Sequence, residues 1–177
     1  MEVSFIKNPL RGLDLDQVYE KLERNPNLIE FMVEQYQRHV ELVLKKDGML
    51  LRFIKHRTPE LCTMAVRQNG MALQFCPIKT NKLSRDAVYL DGMALQFLES
   101  PSPEVRDIAL RNNGMALQYV AYQSQDDGLT AVTQNGLALK FVEDQTYEIC
   151  KAAIKQNKRA SVYLDEAFYW VDEEIDN

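Results

Sequence analysis

The sequence predicts an all-α protein, an α-solenoid of about seven 22-residue units, each a longer helix followed by a short one. Three observations predict it. Glycines fall at 48, 70, 92, 114 and 136, a spacing of 22 residues without slippage. Each glycine opens a copy of one phrase, as in Asn69-Gly70-Met71-Ala72-Leu73-Gln74-Phe75, and again from Asp91 and Asn113, with looser copies from Asp47 and Asn135. Before each glycine lies a stretch that starts at a helix-capping residue and carries apolar residues at helical spacing.

Residues 1–16 precede the repeats, and Pro9 followed by Arg11-Gly12 reads as an irregular lead-in. Residues 17–24 read as a worn first helix, because Val18 and Leu22 match Val40 and Leu44 one unit later. The phrase recurs one step back as Asn25-Pro26-Asn27-Leu28-Ile29-Glu30-Phe31, with Pro in place of Gly. Repeats at the ends of an array have one face turned to water and are expected to be atypical. The solenoid therefore spans 17–164.

Within a unit, Thr58, Ser102, Ser124 and Thr146 stand twelve residues before the Gly position, each a good N-cap. Pro59 and Pro103 follow at the first helical position, where a missing N–H costs nothing. Acidic residues come next (Glu60, Glu104, Asp126 and Glu148), favourable at the positive end of the helix dipole. Thr80-Asn81-Lys82 and Tyr36 depart from this pattern and predict weaker caps.

Apolar residues favour positions −9, −5 and −4 relative to the Gly, and −5 is alanine in five units, from Ala65 to Ala153. Small residues there predict close approach between neighbouring helices. Asp127 and Gly128 make the helix before Gly136 the poorest of the set. The Asn/Asp-Gly pair should end the helix, either through a left-handed glycine or with the Asn/Asp side chain capping the short helix after it. The short helix then buries positions +2, +3, +5 and +6. Phe31, Phe53, Phe75, Phe97, Tyr119, Phe141 and Tyr163 form the +5 series and read as packing.

The last unit is Asn157-Lys158-Arg159-Ala160-Ser161-Val162-Tyr163, without the glycine. Leu164 to Asp172 then predict a final helix laying Phe168, Tyr169 and Trp170 over the open end. Residues 165–177 hold six acids and no Lys or Arg. The remaining 20 acids face 21 bases, so the net charge of −5 belongs to this aromatic and acidic C-terminal segment.

The run Thr58-Pro59-Glu60-Leu61-Cys62-Thr63-Met64-Ala65-Val66-Arg67-Gln68-Asn69-Gly70-Met71-Ala72-Leu73-Gln74-Phe75 resembles a 22-residue helical-repeat domain of unknown function. That domain is common in giant-virus proteins and occurs in phage and some bacterial ones. Tyr147 to Asn157 is similar to it too, and the resemblance covers roughly residues 36–164. It implies a repeat fold and a viral or phage origin. The family has no agreed activity, so it implies no catalytic residue.

Chemistry is sparse in the sequence. Cys62, Cys76 and Cys150 form an odd set without CxxC spacing, and the histidines, His39 and His56, have no paired spacing. Buried thiols in a reducing compartment are the expectation, with no metal, cofactor or catalytic group. No apolar run approaches a membrane span and the N-terminus has no signal-peptide pattern, so a cytoplasmic protein is expected.

Equal positions in successive units line up along a solenoid, which leaves two polar columns. Position −3 gives Lys45, Arg67, Tyr89, Arg111, Thr133 and Lys155, and position +4 gives Arg52, Gln74, Gln96, Gln118 and Lys140. The binding residues expected from them are Lys45, Arg67, Arg111, Lys155, Gln74, Gln96 and Gln118. The sequence thus reads as a non-enzymatic scaffold for a protein partner, in a specific form a viral or phage protein that blocks a host complex. Nucleic-acid binding along the basic column is the alternative, and a pI near 5.1 stands against it.

Overall fold

Residues 13–29 and 37–171 are described by the computed structural model. Among the described residues seven long helices follow one another: α1 (Leu15–Arg24), α2 (Gln37–Lys46), α3 (Pro59–Gln68), α4 (Asn81–Leu90), α5 (Pro103–Asn112), α6 (Gln125–Gln134) and α7 (Tyr147–Gln156). From α2 onward each is followed by a six-residue 3₁₀ helix: Gly48–Phe53, Gly70–Phe75, Gly92–Phe97, Gly114–Tyr119, Gly136–Phe141 and Lys158–Tyr163. The short helices expected from the sequence are therefore of the tighter, three-residue-per-turn kind. Residues 1–12, Phe31, Tyr36 and the end of the acidic tail lie outside the described residues.

The caps form as expected. Thr58, Ser102, Ser124 and Thr146 accept the N–H three residues on, at 3.2–3.4 Å. Thr80 caps α4 in the same way, at 3.3 Å, so it is no weaker in geometry despite lacking the Pro and acid that follow elsewhere. The first helix starts earlier than expected, at Leu15, because Asp14 and Gln17 form a reciprocal capping box.

One residue closes the long helix and opens the short one. The Asn113 N–H reaches the Ala109 carbonyl (2.8 Å), while its side chain accepts the Met115 N–H (3.0 Å). Asn69, Asp91, Asn135 and Asn157 do the same with an extended backbone, φ between −147° and −152°. No glycine of the phrase takes a left-handed φ. Of the two sequence readings, the cap holds and the left-handed glycine does not.

The glycines answer to a neighbour instead. A Cβ at Gly48, Gly70, Gly92, Gly114 or Gly136 would stand 2.5 Å or less from the carbonyl oxygen of Ala65, Ala87, Ala109, Ala131 or Ala153 respectively. Each pair joins one unit's short helix to the next unit's long helix. The small residues at −5 thus mark a close approach, but of a 3₁₀ helix against a long helix.

Long helices pack on long helices and short on short, so the units stack in two layers as an α-solenoid. The core lies between the layers. Leu73, Leu95, Leu117 and Leu139 at +3 are fully buried, as are the alanines at +2 and −5. Burying one leucine contributes about 1.5–3 kcal/mol, and repeating it in every unit supports an array whose single units would not stand alone. The apolar core runs from Val18 to Ala138 and meets a second cluster, Val132 to Val171, through Val142.

The poorest helix is repaired by a polar pair. Asp127 is buried where Leu61, Leu83, Val105 and Ile149 stand in other units, and Arg106 of α5 reaches it with Nε at 3.2 Å from both carboxylate oxygens. Ser124 donates both its N–H and its hydroxyl to the same carboxylate. Burial pushes the Asp127 carboxyl up, but these bonds outweigh it and hold its pKa below the ordinary value.

At the C-terminal end the expected helix over Leu164 to Asp172 is broken: Glu166–Phe168 form a 3₁₀ turn, and α-helical backbone begins at Trp170 and Val171, the last described residues. Leu164 and Val171 are buried and Phe168 packs beneath them, whereas Tyr169 and Trp170 remain exposed. The Trp170 ring stacks on Tyr147 of α7 at 5.5 Å. Phe168 and Trp170 thus lie against the last unit as expected, whereas Tyr169 faces outward. Among the described residues no helix is long and apolar enough to cross a membrane.

Candidate interaction surface

The buried stripe at −9, −8, −5 and −4 fixes which side chains of the long helices turn outward. Lys45, Arg67, Tyr89, Arg111, Thr133 and Lys155 are all exposed, in a row along the α layer. Tyr89 is 73% exposed, a large aromatic group with a basic residue in each flanking helix. Arg111 is partly committed, its Nε lying 2.8 Å from an Asp107 oxygen one turn back. An open groove of about 480 Å³ beside the row is lined by Arg111, Leu129, Thr130, Thr133 and Gln134.

The adjoining position, −2, is structural in most units. Gln134 accepts the Gly114 N–H on Oε1 (2.7 Å) and donates Nε2 to the Asn112 carbonyl (3.3 Å), bridging two units. Gln68, Asn112 and Gln156 bridge to Gly48, Gly92 and Gly136 in the same manner. A primary amide suits the task because it offers donor and acceptor together.

Leu90 breaks this series. It stands where the amide should be, 48% exposed, and no group among the described residues accepts the Gly70 N–H. Tyr89 and Leu90 together put an apolar spot at the centre of the row. Sequence reasoning passed over Leu90. Its signal was an apolar residue aligned with Gln68, Asn112, Gln134 and Gln156.

The +4 row is exposed as expected, but it lies in the short-helix layer. Gln74, Gln96 and Gln118 each donate to the carbonyl three residues back (3.0 Å). Arg52 and Lys140 lie over the rings of their own neighbours Phe53 and Phe141, 4.6 Å from the centroids. These side chains serve their own units, and the two rows do not share a layer.

The cysteines are buried. Cys62 and Cys76, which show no pairing in sequence, lie in one unit, where the Cys76 thiol donates to the Ala72 carbonyl (3.6 Å); Cys76 holds the Cys62 pKa below its ordinary value against the effect of burial, while Cys62 and burial push Cys76 up. Burial, then Asp165, push the Cys150 thiol up to about 11. Among the described residues no three His, Cys, Asp or Glu converge as metal ligands, and the His39 side chain lies outside them.

Compared with known proteins, the chain matches no family model, no curated protein and no solved structure. The likeness carried by residues 58–75 rests on those residues alone.

Proposed function

We propose that the chain is a non-enzymatic helical-repeat scaffold that binds a protein through the outer face of its α layer. The observation that carries this is the exposed Tyr89–Leu90 pair between Arg67 and Arg111. Tyrosine and arginine are the residues that most often anchor protein interfaces, and an apolar centre with a charged rim is the usual arrangement. Leu90 occupies a position that elsewhere serves stability, which supports a use outside the chain. The matching partner surface has an apolar group flanked by carboxylates, since Lys45, Arg67, Arg111 and Lys155 are basic.

The resemblance to a virus- and phage-associated repeat supports the narrower form of the proposal, a protein that engages a host complex in the cytoplasm. Nucleic acid is the weaker candidate. Tyr89 and Thr133 interrupt the row and Arg111 already holds a carboxylate, leaving no continuous basic stripe.

The test is affinity purification from the native host, comparing wild type with Tyr89→Ala/Leu90→Gln and with Arg67→Glu/Arg111→Glu/Lys155→Glu. Both variants should lose a co-purifying protein while keeping helicity, and neither should melt below wild type. Loss of bound nucleic acid instead, with affinity falling by orders of magnitude between about 50 and 200 mM salt, would support the other class. Unchanged binding by both variants would place the interface elsewhere.

A further inference from the structure

A second amide bridge closes the edge where short helices hand over to long ones. Gln123 donates Nε2 to the Phe141 carbonyl (2.7 Å) and accepts the Glu143 N–H on Oε1 (3.2 Å). One unit on, Gln145 does the same with the Tyr163 carbonyl (2.7 Å) and the Asp165 N–H (3.0 Å).

Two units before Gln123 the equivalent residue is Lys79, which has no acceptor to offer. The Phe97 carbonyl and the Glu99 N–H, counterparts of the bridged pair, bond no group among the described residues. Both residues, with Lys79, Leu98, Ser84 and Val105, line a cleft of about 310 Å³. Ser84 helps to open it, since Cys62, Arg106 and Cys150 are larger at that position. Gly128 is small there too and adjoins a cavity of about 230 Å³, but Gln123 lines that one and its amide is already bridging.

We propose that the cleft at Lys79 is a binding site for a primary carboxamide, the side chain of a glutamine in a partner protein. The incoming amide would donate to the Phe97 carbonyl and accept the Glu99 N–H, as Gln123 and Gln145 do within the chain. A carboxylate of the same shape can only accept, so it would set an oxygen against the Phe97 carbonyl. The volume is at the small end for ligand sites and suits one side chain. This site is independent of the Tyr89 row.

The probe is N-acetyl-glutamine N-methylamide, titrated into ¹⁵N-labelled full-length protein, with the glutamate analogue as control. A ligand of this size should bind with a dissociation constant of about 1 mM, read as a saturable shift of the Glu99 amide signal. The glutamate analogue should bind at least about tenfold more weakly, the loss of one hydrogen bond. Lys79→Gln supplies the chain's own amide and should abolish the response while raising the melting temperature. Ser84→Val fills the cleft and should abolish it too, which covers the case of a poorly folding Lys79 variant. No saturable shift at Glu99, an equal response to the glutamate analogue, or an undiminished response in the folded variants would overturn the proposal.

Discussion

Gly114 and Ala131 lie 17 residues apart in sequence, yet no side-chain carbon fits between the Gly114 Cα and the Ala131 carbonyl oxygen. That oxygen also accepts the Asn135 N–H that ends α6 (2.9 Å), so it cannot turn away without breaking the helix end. The pairing recurs in every unit that has both residues. Where Val43 replaces the alanine, the preceding unit has Pro26 in place of the glycine.

Replacing Gly114 by Ala should therefore cost about 3 kcal/mol, the upper part of the range for overpacking, because the obstacle is backbone. Lys158 holds the equivalent place in the last unit and is exposed. Lys158→Ala should change stability by less than about 1 kcal/mol. Denaturant melts of the two variants check the contrast, and equal losses would contradict the close-approach role.

Leu90→Gln should restore the missing bridge to the Gly70 N–H and stabilise the fold by about 0.5–1.5 kcal/mol, the net worth of a hydrogen bond. Gln134→Ala should do the reverse and cost about 1–3 kcal/mol by leaving the Gly114 N–H without its acceptor. Thermal melts read both. A less stable Leu90→Gln would mean that the leucine packs for stability.

The Arg106–Asp127 pair sets an acid dependence. The folded carboxyl has its pKa below the unfolded value, so its contribution is present above the unfolded pKa and is lost as pH falls through the folded one. Asp127→Asn should make stability flatter with pH below about 4. Arg106→Met should cost about 3 kcal/mol near neutral pH, because it leaves a buried carboxylate unpaired. Urea midpoints across pH 2–7 test both, and identical acid limbs for wild type and Asp127→Asn would count against the pairing.

The units, the hydroxyl caps and the buried stripe were legible because each is local: a cap and its partner lie three residues apart, and a stripe repeats every turn. The reason for the glycines was not, since Gly114 is constrained by a carbonyl one unit away and its own dihedral shows nothing unusual. Gln68, Asn112, Gln134 and Gln156 looked like ordinary polar surface because their partners belong to the preceding unit. Asp127 looked like a defect until Arg106, 21 residues earlier, was placed against it. The −3 row was visible as a column, but its apolar centre required knowing that the −2 position normally bridges units.

Small-angle scattering in solution tests the stacked architecture most directly. Seven units at about 10 Å per helix layer make a body roughly 70 Å long, with an expected radius of gyration of about 21 Å. A compact chain of 177 residues would give about 16 Å. A value near 21 Å or above, with the distance distribution of an elongated body, is the expected result. A value near 16 Å with a symmetric distribution would contradict the solenoid and the surface rows that depend on it.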